Sequence, residues 1–144
     1  MEFEISCGFV LINSKSKKIL LLKLAKEFEW DLPRGHQDKG ETNIQTALRE
    51  VEEQTKISSS DISVIKAADG QPISKYYDYT SPVSGNARRI YLFIGETKKD
   101  PLPSDEHCGY SWCSLKEGLK YLRFDEIQKC VEELYGKYIA SINK

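Results

Sequence analysis

The chain lacks the usual marks of a metal-thiolate, secreted, membrane-spanning or nucleic-acid-coating protein. Its four cysteines (Cys7, Cys108, Cys113, Cys130) form no Cys-x-x-Cys pair, and its only two histidines, His36 and His107, stand far apart. No zinc-ligand spacing results. The start, Met1-Glu2-Phe3-Glu4, is acidic and lacks the basic region of a secretory leader. The cysteines therefore read as reduced thiols of a cytoplasmic protein. No run approaches the ~18 apolar residues of a membrane span. The 21 basic and 22 acidic side chains leave a net charge of −1. That is no basic field for long nucleic acid. There are no internal repeats and no low-complexity segments.

What is present suits one domain over residues 1–144, expected to act as a monomer: 40% of the residues are hydrophobic, enough for a core. Phe3 to Ile12 and the almost wholly apolar Ile19 to Leu24 read as strands, the latter buried on both faces. Asn13 to Lys18 is the turn between them. Ala25 to Glu29 reads as a loop, and Trp30 to Arg34 as a short extended segment in which Pro33 bars helix. Thr42 caps a helix from about Asn43 to Gln54, with Ile44, Ala47, Leu48 and Val51 on its inner face. Ile62 to Ala68, Ile73 to Thr80 and Arg88 to Thr97 read as strands, the last two joined by a loop over Ser81 to Asn86. A short strand over Gly109 to Cys113 follows, then a brief helix capped by Ser114 and a longer one over Phe124 to Ile142. Strands interspersed with a few helices imply an α/β fold, a mixed β-sheet covered on both sides.

The chemistry concentrates between Gly35 and Gln54. Gly35-His36-Gln37-Asp38-Lys39-Gly40-Glu41 is a glycine-bounded loop, and Arg49-Glu50-Val51-Glu52-Glu53-Gln54 follows on the helix. At about 100° per residue, Glu50, Glu53 and position 54 share one face. Like charges at such spacing repel by a few tenths of a kcal/mol per pair, a cost that a divalent cation among them removes. Hard oxygen donors without His or Cys suit Mg2+, with Mn2+ as the alternative, and magnesium held by carboxylates usually also holds a substrate phosphate. A merely solvated helix face accounts for the charges but not for the glycine loop at fixed distance.

This stretch resembles the box of the Nudix hydrolases, G-x5-E-x7-R-E-U-x-E-E-x-G-U with U a bulky apolar residue. Gly35, Glu41, Arg49, Glu50, Val51, Glu53 and Ile57 match in register. Gln54 stands where the second glutamate of the pair belongs, and Lys56 where the glycine belongs. The resemblance implies a Nudix-type α/β/α sandwich with the mixed sheet between helices. It also implies a hydrolase that uses metal-bound water on a nucleoside polyphosphate.

Residues outside the box look like the asymmetrical diadenosine tetraphosphate hydrolases within that family: Ile19-Leu20-Leu21-Leu22, Trp30-Asp31-Leu32-Pro33-Arg34-Gly35-His36, Glu106-His107 before Tyr110-Ser111-Trp112, and Phe124-Asp125-Glu126-Ile127. Asp105 departs from the first histidine of the late motif. The resemblance implies cleavage of diadenosine tetraphosphate to ATP and AMP by water attack on phosphorus. Glu50, Glu53 and Glu106 would be catalytic, and the metal ligands would be these three with Gln54. Arg34 would contact phosphate oxygens, for which a guanidinium is geometrically suited. Glu41 and Arg49 would brace the loop against the helix. His36 is assigned to the substrate loop or to a supporting place behind it. Two roles stay open to His107: contact with phosphate, or orientation of Glu106. Tyr79, chosen over Tyr76 and Tyr77, and Phe124 would clamp a base. Of Arg88 and Arg89, which face opposite sides, Arg88 is assigned to phosphate. Two other readings stand beside this one. The first is an RNA 5′-end pyrophosphohydrolase of the decapping type. The second is a catalytically weakened nucleotide-binding protein, since Gln54 keeps an oxygen but loses the charge. Glu52 cannot replace the missing charge, as it lies about 200° around the helix from Glu50.

Overall fold

The computed structural model describes residues 3–26 and 29–143. The acidic start at Met1 and Glu2, and Glu27 and Phe28 of the expected loop over Ala25 to Glu29, lie outside the described residues.

Two strands form the spine. β1 (Glu4–Asn13) lies parallel to β7 (Ala87–Thr97) over its whole length, from Glu4↔Arg88 to Asn13↔Thr97. On its other edge β1 meets β2 (Ile19–Leu24) antiparallel at Ile12↔Ile19, and lower down β4 (Arg34–His36) at Ser6 to Gly8. β3 (Trp30–Asp31) and β8 (His107–Cys113) pair with β2. β5 (Ser63–Val64) and β6 (Ser74–Thr80) share the outer edge of β7.

The period of two along these strands sorts the core into two layers. Cys7, Phe9 and Leu11 with Leu20, Leu22 and Phe93 pack against Ala47 and Val51 of α1 (Asn43–Thr55). Val10, Ile12, Ile19, Leu21, Ile90, Leu92 and Ile94 pack against Ile127, Val131, Leu134 and Tyr138 of α3 (Asp125–Ile142). The short α2 (Leu115–Tyr121), capped by the Ser114 hydroxyl, lies on the same face as α3. The result is the expected α/β/α sandwich around a mixed sheet. Among the described residues no helix is long and apolar enough to cross a membrane.

The third expected strand is much shorter than Ile62 to Ala68. Only Ser63 and Val64 join the ladder, with one isolated bridge between Lys66 and Pro72. The chain turns away through Asp69-Gly70, where Gly70 has φ +84°, and Pro72 has no N–H to extend the pairing. β6 then takes over the same edge of β7.

α1 carries the site, and both of its ends are satisfied by identifiable groups. Thr42 Oγ1 accepts from Gln45 N–H while Gln45 Oε1 accepts from Thr42 N–H, a reciprocal capping box. At the far end Lys56 adopts the left-handed conformation, φ 64° and ψ 13°, and its N–H bonds to Glu52 O. This is the position at which the Nudix box has glycine. A β-carbon in this conformation costs about 1 kcal/mol, and exposed Lys56 has no packing to offset it. Lys56→Gly is therefore expected to raise stability by about 1 kcal/mol and the melting temperature by a few degrees. Thermal denaturation of the two proteins checks this; an unchanged or lower melting temperature would show that the strain is relieved elsewhere.

Candidate active site

Arg49 organises the carboxylates. Its Nε and Nη2 donate to the two oxygens of Glu41 at 2.7 and 3.0 Å, a bidentate fork. Nη1 donates to Glu50 Oε1 at 2.8 Å and Glu53 Oε1 at 3.1 Å, and Nη2 also reaches the backbone carbonyl of His36 at 2.8 Å. Asp38 lies 3.4 Å from Nη2. One cation thus ties the glycine loop to α1, the bracing expected of Glu41 and Arg49, and also offsets part of the charge of the carboxylate face. Glu41 further accepts from Asp38 N–H and the Thr46 hydroxyl. These donors, Arg49 foremost, hold its carboxyl down at about 2.

Gly35 is required by close approach. A β-carbon there would lie 2.1 Å from the Glu50 carboxylate. β4 therefore presents bare backbone to Glu50 on the α1 face, opposite Cys7 in β1. Its neighbour Arg34 points to the other face, by the alternation of a strand. Burial pushes the Glu50 carboxyl above its ordinary pKa; Arg49 opposes this, and the charges of Glu53 and Glu106 add to it.

Gln54 is buried, 7% exposed. Its amide Nε2 donates to the Arg34 carbonyl at 2.7 Å and to Glu50 Oε2 at 3.1 Å, leaving Oε1 buried without a partner. The last carbonyls of α1 accept from the distant loop: Ser104 N–H bonds to Gln54 O and Leu102 N–H to Thr55 O. That attachment brings the turn Ser104-Asp105-Glu106-His107 to the site. His107 N–H closes the turn on Ser104 O, its Nδ1 lies 3.4 Å from Ser104 Oγ, and burial lowers its pKa. Glu106 is exposed, and its carbonyl accepts from Ala25 N–H.

The donor set of Glu50, Glu53, Gln54 and Glu106 is oxygen only, and it includes an unpartnered buried amide oxygen beside a desolvated carboxylate. Such a set fits a hard divalent cation. It differs from expectation in one respect. Among the described residues no group of three or more His, Cys, Asp or Glu side chains is gathered closely enough to enclose an ion by itself. Glu50 and Glu53 turn an oxygen each to Arg49, because the guanidinium is the nearest counter-charge.

On the opposite face of the sheet lies a cleft of about 320 Å3 walled by Trp30, Asp31, Arg34, Tyr77, Tyr79 and Phe124, among others. Tyr79 and Phe124 face each other with ring centroids 6.4 Å apart and planes 17° from parallel. Arg34 Nε donates to Asp31 Oδ2 at 3.0 Å. Burial opposes its charge, but Asp31 and the two tyrosines outweigh that and keep it protonated. Arg88 reaches the Tyr79 hydroxyl through Nη1 at 3.4 Å, and its Nε is 3.1 Å from Glu4, an ion pair without hydrogen-bond alignment. Arg89 is on the other face, forked onto Asp78 between the rings of Phe3 and Tyr76. Tyr77 stacks beside Tyr79. The His36 ring is exposed; its carbonyl, not its ring, joins the network.

The structure thus places the sequence-selected residues in two groups that meet at β4: Glu50, Glu53 and Gln54 with the Glu106 turn on one side, and Arg34, Tyr79, Arg88 and Phe124 on the other. Sequence reasoning missed Asp31, whose three-residue spacing to Arg34 was the available signal, and Ser104, whose role rests on a backbone N–H and has no side-chain signature.

The depressed Glu41 carboxyl has a consequence for stability. Its folded pKa lies below the unfolded value, so the contribution is fully present above about pH 4.5 and is lost as pH falls through about 2. Glu41→Gln should be less stable than wild type at neutral pH, with a gap that closes on acidification across that window. Denaturant midpoints at several pH values check this; a gap independent of pH would remove the charge from the explanation.

Comparison with known proteins agrees with this geometry. The family model of the NUDIX domain matches residues 3–134. The mouse asymmetrical bis(5′-nucleosyl)-tetraphosphatase is 26% identical over 140 residues, covering 89% of this chain and 90% of the relative. An RNA pyrophosphohydrolase of Pelagibacter ubique is 37% identical over 65 residues, 44% of this chain and 39% of its own. The fold is similar to that of an Ap4A hydrolase of C. elegans solved as a binary complex, with a TM-score of 0.82 at 22% identity, covering 96% of this chain and 98% of that one. The chain belongs to the Nudix hydrolase family, whose members generally use divalent metal ions.

Proposed function

We propose that the chain hydrolyses dinucleoside tetraphosphates, converting diadenosine tetraphosphate and water to ATP and AMP with magnesium. The observation that carries the reading is the Tyr79–Phe124 pair beside Arg34, on the far side of β4 from the carboxylates of α1. Bases stack at about 3.4 Å, so a base held between two rings needs them at about twice that spacing. The 6.4 Å between these centroids is close to it. Stacking of this kind is worth ~1–3 kcal/mol per base. The full-length likeness to the mouse tetraphosphatase supports the same substrate.

Each residue has a role in this reading. Tyr79 and Phe124 hold one base. Arg34, fixed by Asp31, and Arg88 meet phosphate oxygens as the chain of phosphates crosses β4. Glu50, Glu53, Gln54 and Glu106 would hold the magnesium. Magnesium, when bound, neutralises the polyphosphate and lowers the pKa of water. Glu106, exposed at the tip of its turn, accepts the proton of the attacking water. The water oxygen bonds to phosphorus, one P–O–P bridge breaks, and the bridging oxygen leaves with the other nucleotide. His107 closes the turn that presents Glu106, and His36 contributes its carbonyl to the loop. The 144 residues act as one such unit, a cytoplasmic monomer.

A second reading, removal of phosphates from an RNA 5′ end, is favoured by the local likeness to RNA pyrophosphohydrolase. The net charge of −1 argues against it.

Turnover of diadenosine tetraphosphate and of 5′-triphosphorylated RNA, each with and without magnesium, separates the two. Release of ATP and AMP only with magnesium is expected; faster attack on the RNA would overturn the first reading. Glu50→Gln should lower turnover at least a hundredfold while the protein stays folded by circular dichroism. Phe124→Ala should raise KM roughly tenfold, the loss of about 1–2 kcal/mol of stacking, with little change in kcat. Phe124 is 57% exposed, so its melting curve should hardly move; a large drop in melting temperature would make it a core residue instead.

A further inference from the structure

We propose that the Gln54 carboxamide stands in for a cation. It is a positioning residue that holds Glu50 and β4 by donating hydrogen bonds, and it leaves the site needing fewer divalent ions than one with a carboxylate at this position. The inference rests on the metal-dependent reading of the carboxylate site but on no particular substrate.

The contacts and burial of this side chain carry it. Gln54 Nε2 sits against two acceptors that cannot bond to each other, the Arg34 carbonyl at 2.7 Å and Glu50 Oε2 at 3.1 Å. Only one orientation of the amide satisfies both, because the reverse would set Oε1 against two oxygens. A glutamate here would offer only acceptors, and the cluster would then need a shared proton or a metal cation between it and Glu50. The side chain is buried, so water does not do this work cheaply.

The two acceptors also belong to the two halves of the site. The Arg34 carbonyl is the backbone of the strand whose side chain lines the aromatic cleft, and Glu50 lies over Gly35 on the carboxylate face. The backbone carbonyl of the same Gln54 accepts from Ser104, which anchors the Glu106 turn. Gln54 therefore fixes β4, Glu50 and the turn relative to one another in the metal-free protein. Its unpartnered Oε1 remains as one neutral oxygen for an ion.

The test uses Mn2+ as the probe and needs no substrate, so it stands apart from the failure of any substrate assignment. Wild type, Gln54→Glu and Gln54→Leu are compared for thermal stability without metal, and for Mn2+ stoichiometry and affinity by electron paramagnetic resonance titration. Gln54→Glu should melt lower than wild type without metal, recover with Mn2+, and either bind at least one more equivalent or bind at least tenfold more tightly. Gln54→Leu, which removes the donor without adding charge, should melt lower and should not recover with Mn2+. A merely structural role for position 54 would change melting but leave the Mn2+ titration of Gln54→Glu unaltered, and that result would overturn the proposal. Equal melting of metal-free Gln54→Glu and wild type would also overturn it, since the donated hydrogen bonds would then hold nothing.

Discussion

The Arg49 guanidinium is the interaction on which the site depends. It holds Glu41, Glu50, Glu53 and the carbonyl of His36. A lysine in its place would supply one compact charge without the planar fork that reaches several oxygens in fixed directions. Because Glu41 is on the loop and Glu50 is on the helix, the same contacts fix the angle at which the glycine loop enters α1. They also offset part of the repulsion among these carboxylates.

The second constraint is the pleat of β4. Adjacent residues on a strand face opposite ways, so Arg34 and Gly35 serve different chemistries from neighbouring positions. Gly35 yields space to Glu50; Arg34 enters the aromatic cleft. The Gln54 side chain bridges the same strand from beneath, through the Arg34 carbonyl, so the two groups of residues share one anchor.

Local signals were legible where the physics is local. The Thr42 cap, the helix that follows, the two apolar strands at the centre and the Ser114 cap all follow from spacing and side-chain type; the reciprocal part of Gln45 was seen only in the structure. The pairing of Glu41 with Arg49 was implied by the resemblance, since both fall within one motif. The strand expected over Ile62 to Ala68 was misjudged because its length is set by competition. β5 and β6 share one edge of β7, and Gly70 and Pro72 turn the chain out between them. The meeting of Tyr79 with Phe124 was suggested by resemblance; periodicity alone left three tyrosines open. The face of β6 toward α3 carries both Tyr77 and Tyr79, and it is Tyr79 that stacks on Phe124.

By itself the sequence determined the helix carrying Glu50 and Glu53 and the family, since each rests on residues close together in the chain. Tertiary structure alone decided that Gln54 donates rather than accepts, because its partners are a backbone carbonyl twenty positions away and a carboxylate whose orientation depends on Arg49. It alone decided where Glu106 stands, because that turn hangs on the free carbonyls at the end of α1. Hydrogen bonds between backbone groups leave no trace in side-chain identity, and the fold has to be closed before they exist.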